Sequence, residues 1–192
     1  MLRRTAPALL LTLALTACDA GESPEPAATP TSTATTQDDE QAAPVADAVR
    51  RGVAALYVGD HPTPEQVAEG ECFADALLQR LDGDALAAAG IVQDDGAVAP
   101  AVPALDVATA EAWVAAQGDC TDFVEVSSRA LVAQSKGKVA ADVYADCLRE
   151  ALTDDEVDQA LVDTLTGRFD TPAVTALSEA QARCAGAASP PE

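Results

Sequence analysis

The chain has 192 residues, 48% of them apolar but only 3% aromatic, and a formal net charge of −21. With 32 acidic residues against 11 Lys and Arg, electrostatics argue against nucleic acid and anionic lipid headgroups as partners. The acidity suits solubility in a crowded or saline exterior, or attraction of a cation or a basic partner. Alanine supplies much of the apolar fraction, which favours closely packed helices over a sheet of Val, Ile and aromatics.

Arg3 and Arg4 precede an apolar run from Ala6 to Leu15, broken only by Pro7 and Thr12. The run is too short to span a membrane, which needs roughly 20 apolar residues. It ends at Leu15-Thr16-Ala17-Cys18, which resembles the lipobox of bacterial lipoproteins. That resemblance implies a signal peptide over residues 1–17, cleavage before Cys18, and a diacylglycerol on the Cys18 thiol. Two acyl chains hold a protein firmly, since each buried methylene contributes ~0.8 kcal/mol. The implied place is the extracytoplasmic face of the cell membrane, with the membrane as a partner through the lipid on Cys18. In bacteria with two membranes, an Asp after the Cys, here Asp19, goes with inner-membrane retention. A plain secretory signal and a buried N-terminal helix are the alternatives. The Arg pair is similar to twin-arginine signals but lacks their flanking residues, so the general export route is expected. Loss of residues 1–17, with Arg3 and Arg4 and no acid, takes the net charge from −21 to −23.

Residues 18–44 are rich in Pro, Thr, Ser, Ala and Glu and show no apolar period. Such a stretch cannot bury enough surface to offset its ordering entropy, so a disordered tether is expected. As a coil it spans ~30 Å, and as extended polyproline helix ~80 Å. Its expected role is to lift the following domain off the membrane, and the segment Thr29 to Thr36 has a composition suited to O-glycosylation.

Residues 45–186 read as an all-α domain of seven or eight short helices, with 187–192 as a disordered tail. Val45, Val49, Val53, Leu56 and Tyr57 make the first stripe, ended by Gly59. Thr63-Pro64-Glu65-Gln66 is a helix start, and Val67, Phe73, Ala74, Leu77 and Leu78 follow on one side. Asp84 to Ala89 forms a short helix, and Ile91 to Pro103 a loop. Asp106 caps a helix to Gln117. Asp119 or Thr121 starts the next, which ends at Gly137. Ala140, Val143, Tyr144, Cys147 and Leu148 keep the helical spacing closely. Thr153 and Glu156 form a second capping box, and Asp170 or Thr171 opens the last helix ahead of Pro172. Short connections imply antiparallel neighbours.

The four remaining cysteines mark an internal repeat. Glu71-Cys72-Phe73-Ala74-Asp75-Ala76-Leu77 aligns with Asp146-Cys147-Leu148-Arg149-Glu150-Ala151-Leu152. Asp106 stands 14 residues before Cys120, as Asp170 does before Cys184. Residues 46–120 and 121–184 are therefore read as two copies of one helical unit, the first with about 11 extra residues near Gln93 to Pro103. Chance similarity among alanine-rich helices is the competing account. Four cysteines allow three pairings. The repeat favours pairing within each copy, Cys72 with Cys120 and Cys147 with Cys184, each stabilising by roughly 3 to 4 kcal/mol in the chain-entropy account.

No motif names a reaction. The single histidine, His61, lies in a turn without a Ser or Cys signature beside it. Asp38-Asp39-Glu40, Asp94-Asp95 and Asp154-Asp155-Glu156 lack the spacing of a calcium loop, and no Cys-x-x-Cys suggests zinc or redox chemistry. No cofactor, metal or catalytic residue is expected. Trp113, the only tryptophan, reads as core. The whole chain resembles small repeat-containing actinobacterial lipoproteins of unknown function, which implies no activity. The expected role is a membrane-anchored, non-enzymatic interaction or scaffold module with an envelope protein as partner. The alternative is an envelope enzyme with a hidden site. An exposed apolar groove between the repeats without convergent polar groups favours the first, and a deep pocket holding several perturbed carboxylates or His61 the second.

Overall fold

A computed structural model describes residues 37–189 of the chain. The signal segment, Cys18, the tether as far as residue 36, and residues 190–192 lie outside the described residues. Among the described residues the chain is all-helical, with no strand. Its elements are α1 Gln37–Val58, α2 Pro64–Arg80, α3 Gly83–Ala88, α4 Val107–Cys120, α5 Phe123–Gln134, α6 Ala141–Ala151, α7 Asp154–Leu165 and α8 Pro172–Ala188. An isolated bridge pairs Val92 with Val98 in the α3–α4 connection. None of these helices is long and apolar enough to cross a membrane.

Local chemistry sets most helix ends. The Thr63 hydroxyl accepts from the Gln66 N–H, the Gln66 side chain accepts from the Thr63 N–H, and Pro64 occupies the first helical position. Thr153 and Glu156 repeat the box on α7. Asp106 caps α4 and Thr171 caps α8. Gly59, Gly90, Gly137 and Gly167 follow helix ends with φ of 72 to 76°, the left-handed turn that glycine adopts without a steric penalty.

Other ends differ from the sequence expectation. α1 begins at Gln37, so helix occupies the last part of the stretch read as tether, with Pro44 inside it. Glu40, Gln41, Ala42 and Ala43 favour helix enough to carry it back past Val45. α5 is capped by Asp122, whose carboxylate accepts from the Glu125 N–H at 2.8 Å, and not by Asp119 or Thr121. α4 continues through Cys120, and the Thr121 N–H and hydroxyl both donate back to the Gln117 carbonyl. Thr121 therefore closes one helix and cannot open the next. α8 runs to Ala188, beyond the expected boundary at 186. Ala188 is buried, and its carbonyl accepts from the Ala140 N–H at 3.0 Å.

The two copies repeat one arrangement. α1 packs along α2 and α2 along α4; α5 packs along α6 and α6 along α8. The first core gathers Val53, Phe73, Leu77, Leu86, Ile91 and Trp113, and the second gathers Tyr144, Leu148, Ala180, Cys184 and Ala188. The third helices break the symmetry. α3 has six residues and contributes Leu86. α7 packs on both α8 and α4, and Val162, Leu161 and Leu165 join the first core. The Leu105 N–H also donates to the Leu165 carbonyl at 2.9 Å. The extra residues of the first copy cover its core, with Ile91 fully buried and Val92, Val98 and Val102 packed against it. Two stripe residues face outward instead: Val67 and Val143 are 42% and 43% exposed.

α1 and α2 approach closely at Gly70. A β-carbon there would sit 2.8 Å from Val58 Cγ1 and 3.0 Å from the Ala54 carbonyl oxygen. Gly70→Ala is expected to destabilise by about 1 to 2 kcal/mol, because overpacking against backbone outweighs the propensity gain of nearly 1 kcal/mol. Thermal unfolding followed by circular dichroism gives the sign; a raised midpoint refutes the close-packing argument.

Candidate functional site

Both disulfides join helices within one copy. Cys72 on α2 bonds Cys120 at the end of α4, with Cα atoms 5.8 Å apart. Cys147 on α6 bonds Cys184 on α8, with Cα atoms 5.5 Å apart. Cys184 is fully buried, whereas Cys72 lies at the surface. Arg80 braces the first cross-link, donating to Asp119 at 2.6 Å and to the Ala76 carbonyl at 2.8 Å.

The other candidates from the sequence do not converge. His61 is exposed in the α1–α2 turn with φ 59°, and its imidazole makes no hydrogen bond among the described residues. Trp113 is 4% exposed, with its ring 4.7 Å from that of Phe73, which stacks on Tyr57 at 4.1 Å. Asp94 and Asp95 stand on the exposed α3–α4 connection, and Asp95 accepts from the Ala97 N–H. Among the described residues no three His, Cys, Asp or Glu side chains gather as a metal site.

Two cavities adjoin where α4, α5 and α7 meet, the first lined from both repeats and the second from the second repeat alone. One of about 260 Å³ opens where α4 ends, α5 begins and α7 crosses, lined by Val114, Gln117, Gly118, Thr121, Asp122, Phe123, Val124, Asp154, Val157, Asp158 and Leu161. A second of about 370 Å³ adjoins it, sharing Phe123, Val124, Asp154 and Val157 and adding Leu148, Arg149, Leu152 and Thr153. Together they form a groove with an apolar floor and an acidic rim. The two-residue link Thr121–Asp122 turns the chain from one repeat into the next and exposes part of Phe123.

The rim is acidic along α7, with Arg149 the one cation in the groove lining. Partial desolvation of an otherwise exposed side chain, and then the like charges of Asp154 and Asp155, raise the Asp158 carboxyl above its ordinary value. No ion pair reaches Asp154, Asp155 or Asp158 among the described residues. Arg149 approaches Asp122 at 3.9 Å and Asp146 at 3.8 Å. The lining hydroxyls are already engaged: Thr121 with Gln117 and Tyr57, and Thr153 with Glu156. The groove is therefore equipped to hold an apolar side chain beside positive charge, and offers no nucleophile with a base beside it.

Two further polar nodes were not anticipated from the sequence. Arg129 on α5 reaches across to α2, donating to Glu69 at 2.6 Å and Glu65 at 3.2 Å, so it ties one repeat to the other. Asp163 is a buried carboxylate on α7. Its carboxyl is held below the usual range first by a hydrogen bond from Thr171, then by Gln159 and the Arg168 charge. Arg168 donates to it at 2.6 Å, so Asp163 organises the α7–α8 turn. The sequence signal for the groove was the i, i+4 spacing of Asp154 with Asp158 beside Val157 with Leu161, which places acids and apolar residues on adjacent faces of one helix. No protein-family model, curated protein or solved structure matches this chain.

Proposed function

We propose that the protein is a lipoprotein, held by lipid on Cys18 at the extracytoplasmic face of the cell membrane, whose helical domain is a non-enzymatic interaction or scaffold module. The observation that carries this reading is the conjunction of the Leu15-Thr16-Ala17-Cys18 lipobox pattern with two disulfides in the domain that follows. Disulfides persist in oxidising, extracytoplasmic surroundings, which is where a lipobox sends a chain. The module reading is supported by the open groove where α4, α5 and α7 meet, whose partly exposed Phe123 and Val124 suit contact and whose carboxylates have no nucleophile beside them, its hydroxyls being occupied.

Intact mass spectrometry of protein from its native envelope tests the anchoring. The expected mass lacks residues 1–17, carries a diacylglycerol on Cys18, and is short of two hydrogens for each disulfide. Cys18→Ala is expected to move the protein from the detergent phase to the aqueous phase on detergent partitioning. An unmodified Cys18 overturns the anchoring, and four free thiols overturn the oxidising location.

A further inference from the structure

We infer that the groove where α4, α5 and α7 meet docks a cationic peptide segment that presents an apolar anchor side chain. This rests on the reading of the domain as an interaction module. Phe123, Val124 and Val157 form the floor common to both cavities. The combined space takes an apolar side chain with the backbone that carries it. Asp122, Asp154 and Asp158 line that floor, and Asp155 stands beside them on the first turn of α7.

Charge complementarity selects the occupant. Three of these four carboxylates have no cationic partner, and the fourth shares Arg149 with Asp146 at 3.8 to 3.9 Å. An incoming Lys or Arg relieves a repulsion already present between Asp154, Asp155 and Asp158. Nucleic acid and anionic lipid carry the wrong sign. A second copy of this chain brings another strongly acidic surface, at a net −21, and is repelled. A bare divalent ion finds no gathered set of three ligands among the described residues. A basic segment with one large apolar side chain meets both the floor and the rim, with the anchor desolvated at the centre and the charges steering from the edge.

The test uses the full chain purified from its native envelope in a zwitterionic detergent, with a fluorescently labelled oligolysine peptide bearing one central phenylalanine as probe. Fluorescence anisotropy is expected to show saturable binding that weakens with added salt. Replacing the central phenylalanine by serine is expected to weaken it about tenfold, since the anchor then leaves the floor unfilled. The pair Asp154→Asn and Asp158→Asn is expected to weaken it about tenfold, and the pair Asp94→Asn and Asp95→Asn, which removes the same charge from an exposed loop, less than about twofold. All four positions are exposed, so the variants keep the fold, as circular dichroism verifies. Equal losses in the two charge pairs, indifference to the central phenylalanine, or no saturable binding each overturn the inference. If Cys18 proves unmodified while this binding pattern holds, the anchoring proposal falls and the groove stands. If Cys18 carries lipid and the pattern fails, only the groove inference falls.

Discussion

Replacing Cys147 and Cys184 together with alanine is expected to lower the unfolding free energy by about 4 kcal/mol. The bond closes a loop of 37 residues, and the chain-entropy account gives a figure of this size for such a loop. The second repeat has the smaller core. Its central cluster is Tyr144, Leu148, Ala180, Cys184 and Ala188, of which only Tyr144 and Leu148 are large, with Val124, Leu131 and Leu152 packed against it. α6 and α8 therefore separate first when the cross-link goes, while the first core, supported by Phe73, Leu77 and Trp113, stays packed. Urea unfolding of the double variant measures the loss. Hydrogen exchange places it: faster exchange in α6 and α8 with α2 and α4 unchanged is the expected pattern. An unchanged urea midpoint would show that helix packing alone carries the second repeat.

Phe73→Ala is expected to cost about 4 kcal/mol, within the range for emptying a fully buried aromatic site. Phe73 has no exposed surface and lies between Tyr57, stacked at 4.1 Å, and Trp113, tilted at 4.7 Å. These three rings come from α1, α2 and α4, so one truncation loosens the aromatic contacts that join the three helices. Trp113 serves as its own reporter: water entering the vacated space is expected to shift its emission to the red before global unfolding. A loss below about 1 kcal/mol with unshifted emission would mean that neighbouring side chains collapse into the site without strain.

The groove was only partly legible in the sequence. Asp154, Asp155 and Glu156 were readable as the first turn of a helix, because acids there complement the helix dipole. Their role as a rim depends on what lies opposite, and that is set by the turn at Thr121–Asp122. This turn was misplaced by one to three residues, since Asp119, Thr121 and Asp122 all carry caps in their side chains and only one is used. The choice goes to Asp122 because Cys120 is held in α4 by its bond to Cys72, and Thr121 is held by Tyr57 and Gln117. Val67 and Val143 failed as core residues for a related reason. Periodicity says which side chains share a face, but not how far the neighbouring helix extends along it.

What the amino-acid order determined by itself was whatever closes within a few residues or repeats within the chain. The helical class follows from alanine and from 3.6-residue spacing. The caps at Thr63, Asp106, Thr153 and Thr171 and the glycine exits satisfy backbone groups one turn away. The pairing of the cysteines followed from the duplication, since two copies of one helical unit place their sulfurs alike. Only the tertiary structure decided that α7 lies along α8 yet adds its apolar residues to the first core, that residues 91–103 cover that core, and that a groove opens where α4, α5 and α7 meet. Those are outcomes of packing between segments far apart in sequence. They depend on which of several equally apolar faces find each other, a choice that local propensity leaves open.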